Sequence, residues 1–449
     1  MNKRATARVA AAAIATALPL SAISVTGVAP AFAGIAQGDA AAEPAAQDDG
    51  APAGQAEINA PFETREEADK DGYVPEDDSS WRQWVYQDNG ERYNRMEEVK
   101  VHSPSMGRDI PVVNIRAKDD PENAPTIYLL NGADGGEGIA NWLQQTNAID
   151  FYGNQVGNVN VVIPMAGGFS YYTDWQEENA NLDKDGNGNG GKQMWETFLT
   201  EELPGPMQAH LESNNDRKAL IGMSMTASTS LVYAQQHPEL YDSIGSFSGC
   251  AATSGAASES VQIVLDRAPA QYEQMWGDPN GDVALRNDAL ANAGKLKDQH
   301  NIYVSNGSGL MGEHDLASGD RLNGNIIGSI TPGVEGGVIE GASNACTHLL
   351  QAETDKAGIT QESNNLVYDF RNTGTHQWGY WQDDMFNSWP VISEGLWEGS
   401  TANAQQQTDA AKADYLAKNP GGGDAGSTAV SSLPSPDDIA TAAQAEDAG

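Results

Sequence analysis

The chain has 449 residues, with 25 Lys and Arg against 63 Asp and Glu, for a formal net charge of −38 at pH 7. A surface this acidic repels phosphate backbones and anionic lipid, which argues against nucleic acid as a partner and favours a neutral ligand such as a sugar or glycolipid. Acidity also serves solubility, whatever the ligand.

Residues 1–33 read as an export signal. Lys3, Arg4 and Arg8 precede an Ala-rich apolar stretch that ends in the small-x-small pattern Ala31-Phe32-Ala33. Cleavage there removes three positive charges and takes the net charge from −38 to −41. No later run of about 18 apolar residues is free of charges, so a soluble exported protein with no transmembrane segment is expected. Cys250 and Cys346 are the only cysteines. An even count in an oxidising compartment predicts a disulfide contributing roughly 2–4 kcal/mol, with two buried thiols as the alternative.

Residues 34–80 are rich in Ala, Asp, Glu, Pro and Gly, with Phe62 and Tyr73 as the only aromatics, and read as an acidic low-complexity linker. Residues 401–449 repeat that composition around Pro420-Gly421-Gly422-Gly423, which predicts a disordered tail. Between them, residues 81–400 hold all ten tryptophans and both cysteines, enough for one large core.

In that domain Glu98–Val101 and Ile110–Ile115 read as consecutive strands around a Ser-Pro-Ser-Met-Gly turn. Buried strands are predicted at 126–130, 159–163, 218–221, 302–304 and 366–370, and helices at 195–212, 225–237, 283–298 and 340–357. The alternation implies an α/β fold with a mostly parallel sheet covered by helices on both faces.

Ile221-Gly222-Met223-Ser224-Met225-Thr226 has the context of a nucleophile elbow: a strand, a sharp turn among small residues, then a helix. Thr226 stands where G-x-S-x-G has its last glycine, and a plain structural turn is the rival reading. A nucleophilic serine needs a base, and the order Ser, acid, His excludes His102 and His210. His237 precedes a proline at a helix end, His348 lies inside a helix and His300 immediately precedes a strand. His314 is flanked by Glu313 and Asp315, but adjacent side chains rarely face each other. His376 follows the last predicted strand, where the base belongs. The acid falls among Glu313, Glu335, Glu340 and Asp369, and position does not choose. For an oxyanion, the N–H of Met225 follows the nucleophile and that of Ala133 sits in the Gly-rich loop after the 126–130 strand. That loop lacks the phosphate-cradling G-x-x-x-x-G-K-[ST] pattern. Asp183–Gly188 fits half of an EF-hand loop, but Met194 holds the twelfth position and Glu196 comes two residues late. A Gly/Asn insertion is the preferred reading over a calcium site, and no metal or cofactor is expected.

Several stretches in one order carry a resemblance. They are Ser103-Pro104-Ser105-Met106-Gly107-Arg108-Asp109-Ile110, Leu129-Leu130-Asn131-Gly132, Trp195–Thr200 with Glu202-Leu203-Pro204, Gly222–Met225 and Gly374–Trp381. Spanning roughly residues 95–390, they make the chain resemble the mycolyltransferase family, secreted acyltransferases of bacteria with mycolic-acid envelopes. The resemblance implies an α/β-hydrolase fold with Ser224 as nucleophile, His376 as base and Glu340 as acid, Glu335 being the fallback. It implies transfer of a mycolyl group from trehalose monomycolate to another trehalose monomycolate or to cell-wall arabinogalactan, at the outer cell envelope. Many members carry Asp, thought to contact trehalose, at the position of Asn131, and Trp378 is expected to line the sugar site. Two rival functions remain: a secreted carboxylesterase with the same triad, and a catalytically silent wall-associated binding protein.

Overall fold

A computed structural model describes residues 54–71, 81–183, 190–316 and 326–418. The predicted export signal, residues 184–189 of the half EF-hand and residues 419–449 of the tail lie outside the described residues. Nine strands form one sheet: β1 (Glu57–Ile58), β2 (Met96–Ser103), β3 (Arg108–Ile115), β4 (Thr126–Leu129), β5 (Asn160–Pro164), β6 (Lys218–Met223), β7 (Ser243–Phe247), β8 (Ile302–Asn306) and β9 (Leu366–Phe370). The order is β1-β2-β3-β5-β4-β6-β7-β8-β9. The first four strands in that order pair antiparallel. From β5 to β9 every pair is parallel. This is an α/β-hydrolase-like fold, and the parallel strands end together on the side that carries the candidate site.

Alternation along each strand divides the core in two. Ile127, Leu129, Ile221 and Met223 face one helical layer, while Tyr128, Val162 and Leu220 face the other. With both faces covered, the central strands read as continuous apolar runs, so they were visible in the sequence. β7, Ser-Ile-Gly-Ser-Phe, was not. Its serines are fully buried because helix carbonyls accept their hydroxyls: Ser243 donates to Ile392 at 2.7 Å and Ser246 to Ala227 at 2.9 Å. Small polar residues here let two helices approach the sheet closely, and the strand loses its apolar signature.

The expected boundaries need correction at both ends. Within the supposed linker, β1 adds to the edge of the sheet and a helix, Arg65–Lys70, follows it. Arg82 and Glu98, both buried, form an ion pair at 2.6 Å, and Arg82 also reaches Asp69 at 2.8 Å. The arm is thus attached by charge and strand pairing, together with a few apolar residues, Ala56, Ile58, Phe62 and Ala68, that pack on the core. Within the supposed tail, a helix spans Thr401–Lys418 and buries Ala404, Ala411 and Tyr415. Thr408 caps the Phe386 carbonyl at 3.0 Å and Gln407 accepts the Trp389 indole at 2.9 Å. Alanine-rich composition reads as low complexity, yet it also favours helix once one stripe packs. The predicted 283–298 helix is broken into Asp282–Arg286 and a 3₁₀ turn, Ala293–Asp298. Cys250, just after β7, is disulfide-bonded to Cys346 in the long helix Ile326–Lys356.

Glu196 shows how the acidic chain stabilises its interior. Burial alone raises its carboxyl, but hydrogen bonds from His237 at 2.7 Å and Arg286 at 2.7 and 2.8 Å outweigh that and lower it to about 2. Its stabilisation is therefore complete above the ordinary carboxylate range and is lost as pH falls from about 4.5 towards 2. Glu196→Gln is expected to lose on the order of 3 kcal/mol at neutral pH and to flatten the acid limb of a stability-versus-pH curve from urea titrations. Truncation after Ser400 is expected to lower the melting temperature, because exposing the faces of two helices costs about 2–4 kcal/mol. Calorimetry with an unchanged melting temperature would show the last helix to be idle.

Candidate active site

Ser224 lies between β6 and the helix Met225–Gln236 with φ 56° and ψ −119°, a left-handed conformation that a serine adopts only when its surroundings impose it. Its N–H donates to Phe247 O at 2.8 Å, fixing the turn to the end of β7. Gly222 is required by close approach, since a Cβ there would lie 2.1 Å from Thr226 O. Thr226 takes the place of the expected last glycine and ties the turn together: its hydroxyl accepts the Met223 N–H at 3.0 Å.

His376 sits in the loop after β9 and reaches Ser224 Oγ with Nε2 at 2.7 Å. Its Nδ1 meets Glu340 Oε2 at 2.8 Å. The backbone N–H of His376 donates to Gly336 O at 3.1 Å, and the Trp381 ring stands edge-on to the imidazole with centroids 4.9 Å apart. His376 is therefore held by a carboxylate, a carbonyl and an indole, and is almost fully buried.

Glu340 is completely buried. Its second oxygen, Oε1, accepts the Ser248 hydroxyl at 2.8 Å and the Gly307 N–H at 2.5 Å. Neither donor was foreseen, because Ser248 follows the unrecognised β7 and Gly307 carries no chemical side chain. Gly307 must be glycine on steric grounds, as a Cβ would meet Gly374 O at 2.5 Å. Glu340 also lies in the middle of the Ile326–Lys356 helix, not at a helix start as expected. Pro332 and the glycines at 333, 336, 337 and 341 look like breakers in sequence, yet the helix runs through them. The closest approach is at Gly309, where a Cβ would lie 2.3 Å from Gly337 O. The other acid candidates are elsewhere. Asp369 accepts from Tyr303 at 2.6 Å, Glu335 is half-buried without contact to His376 among the described residues, and Glu313 is exposed beside His314.

The Gly-rich loop 131–136 lies beside the serine, since a Cβ on Gly132 would sit 3.7 Å from Ser224 Cβ. Met225 opens its helix, so its N–H has no intrahelical acceptor. Ala133, partly exposed in the loop, takes the Phe169 N–H on its carbonyl at 2.6 Å. Beside it, burial pushes Asp134 up to about 6, against the pull of the Gly136 N–H and Arg267.

Two expected sugar contacts are corrected. Asn131 is fully buried and serves the loop: its amide donates to Pro164 O at 3.0 Å, and its oxygen accepts the Trp142 N–H at 3.2 Å. Trp378 is 1% exposed and packs edge-to-face on Trp142 and Trp381, so it supports the site from beneath. Glu313, His314 and Asp383 come near enough for a metal, but His314 is already bonded to Asp383 at 2.7 Å. Glu196, the late acid of the half EF-hand, is consumed by His237 and Arg286.

The esterase family model matches residues 103–391. Diacylglycerol acyltransferase/mycolyltransferase Ag85A of Mycobacterium tuberculosis is 31% identical over 313 residues, covering 69% of this chain and 83% of its own. Ag85B of Mycobacterium leprae is 28% identical over 289 residues, covering 64% and 80%. This chain belongs to the mycolyltransferase family. Among solved structures, Mycobacterium tuberculosis MPT51 aligns with 22% identity and a TM-score of 0.47 over 67% of this chain and 96% of its own.

Within this member of the family, Ser248 positions Glu340 and through it His376. Ser248→Ala should slow labelling of Ser224 by a fluorophosphonate roughly ten-fold, the worth of one charge-assisted hydrogen bond. Equal labelling rates for the alanine variant and the wild type would remove Ser248 from the site.

Proposed function

We propose that this protein is an exported serine acyltransferase that moves mycolyl groups from trehalose monomycolate to a second trehalose monomycolate or to cell-wall arabinogalactan. The observation that carries the reading is the continuous hydrogen-bonded chain Ser224–His376–Glu340 at the end of the parallel strands. Its relatives' names supply the acyl group and the reaction class. The export signal read in residues 1–33 supports action at the cell envelope, and among the described residues no helix is long and apolar enough to cross a membrane.

In this mechanism His376 takes the Ser224 proton as Oγ attacks the ester carbonyl, and Glu340 stabilises the imidazolium that forms. The N–H groups of Met225 and Ala133 receive the tetrahedral oxyanion. Collapse expels trehalose, whose departing oxygen takes the proton from His376 and leaves a mycolyl ester on Ser224. An acceptor hydroxyl then reverses these steps: it loses its proton to His376, attacks the ester and releases Ser224. Transfer outruns hydrolysis only where the acceptor hydroxyl is positioned at the acyl-enzyme ahead of water.

The test is intact-protein mass after incubation with trehalose monomycolate, with lipid products followed in parallel. The wild type should gain one mycolyl group and produce trehalose dimycolate, and Ser224→Ala should lose roughly 10⁴-fold or more in turnover with no adduct. An adduct that resolves only to free mycolic acid would make the protein an esterase. Folded protein with neither adduct nor turnover would leave it a binding protein.

A further inference from the structure

A cavity of about 520 Å³ opens between residues 83–93 of the N-terminal arm and residues 143–154, and none of its lining residues belongs to the Ser224 cluster. Its volume falls within the range of small-ligand pockets, about 300–1,000 Å³. One wall, residues 83–93, precedes the segment matched to the family model, residues 103–391. That wall is fixed rather than draped: Arg82 anchors it through Glu98 and Asp69, and the Tyr86 hydroxyl donates to Glu98 at 3.1 Å.

The lining combines flat aromatic surface with uncharged polar groups. Trp84 and Tyr93 line the cavity, Tyr93 being 46% exposed, and Leu143 and Ile149 add apolar surface. Gln87 and Asn147 supply amides and Asp88 and Asp150 carboxylates, while among the described residues no Lys, Arg or His lines the cavity. An aromatic face takes the apolar C–H face of a sugar ring, and amides and carboxylates take its hydroxyls. With acids and no cation in the lining, a phosphorylated sugar or uronic acid is repelled. We propose that this cavity is a second binding site, for a neutral saccharide of one or two rings, separate from the acyl-transfer centre and independent of the function assigned to it.

The test is ligand-observed NMR titration of the full exported chain with trehalose, maltose and an arabinan oligosaccharide, with glucose 6-phosphate as the charged control. At least one neutral probe should bind saturably. Its affinity should fall roughly ten-fold or more in Tyr93→Ala and in Gln87→Ala, two exposed lining positions that supply an aromatic face and an amide; Ser224→Ala should leave it unchanged. The proposal is overturned if no neutral probe binds, if binding is equal in both cavity variants, or if glucose 6-phosphate binds as tightly as the neutral sugars.

Discussion

The candidate site depends on burying one carboxylate. Glu340 has no exposure to solvent, and an unpaired charge in such a place is strongly disfavoured. Both of its oxygens are occupied: a hydroxyl and a backbone N–H reach one, and an imidazole the other. Those donors come from the end of β7, the end of β8 and the loop after β9, while Glu340 itself rides on the long helix. Satisfying the charge therefore fixes four elements relative to one another. His376 is aimed at Ser224 as a by-product of that constraint.

The same constraint explains the glycines around the site. Gly307 and Gly309 approach Gly374 and the helix backbone at Gly337 so closely that no side chain fits, and the His376 N–H closes on Gly336 O. A helix with so many glycines is intrinsically poor, by about 1 kcal/mol for each relative to Ala. What offsets this is tertiary: a backbone-to-backbone approach that sets the acid, and a disulfide from Cys346 that ties the same helix to the segment after β7. Helix propensity yields here to the geometry of the site.

This balance also shows why some of the site could be read from sequence and some could not. Ser224 and His376 sit in local contexts that narrow the choice, a strand-turn-helix stretch with a structural turn as its rival reading and a loop after the last strand. Asn131 and Trp378 were read by likeness and lie in the core, because sequence position does not reveal which way a side chain faces. The acid could not be chosen by pattern, since its helix looked broken and its donor Ser248 follows a strand whose serines hid it. The arm and the C-terminal helix were missed for another reason. Ion pairs such as Arg82–Glu98 and an alanine stripe topped by Tyr415 hold them, and neither has an apolar signature.

Ser224 itself is held under backbone strain. A left-handed serine costs about 1–3 kcal/mol and persists only if the surroundings over-determine it. Here Ser224 N–H is held by Phe247 O, Met223 N–H by the Thr226 hydroxyl, and the missing side chain of Gly222 lets the Thr226 carbonyl close on the turn. Each of these groups lies on β6, on β7 or in the first turn of the helix, elements buried on both faces of the sheet. The packing that makes the central strands legible is thus what keeps Oγ exposed to a substrate and within 2.7 Å of His376, in an arrangement that an isolated turn would relax.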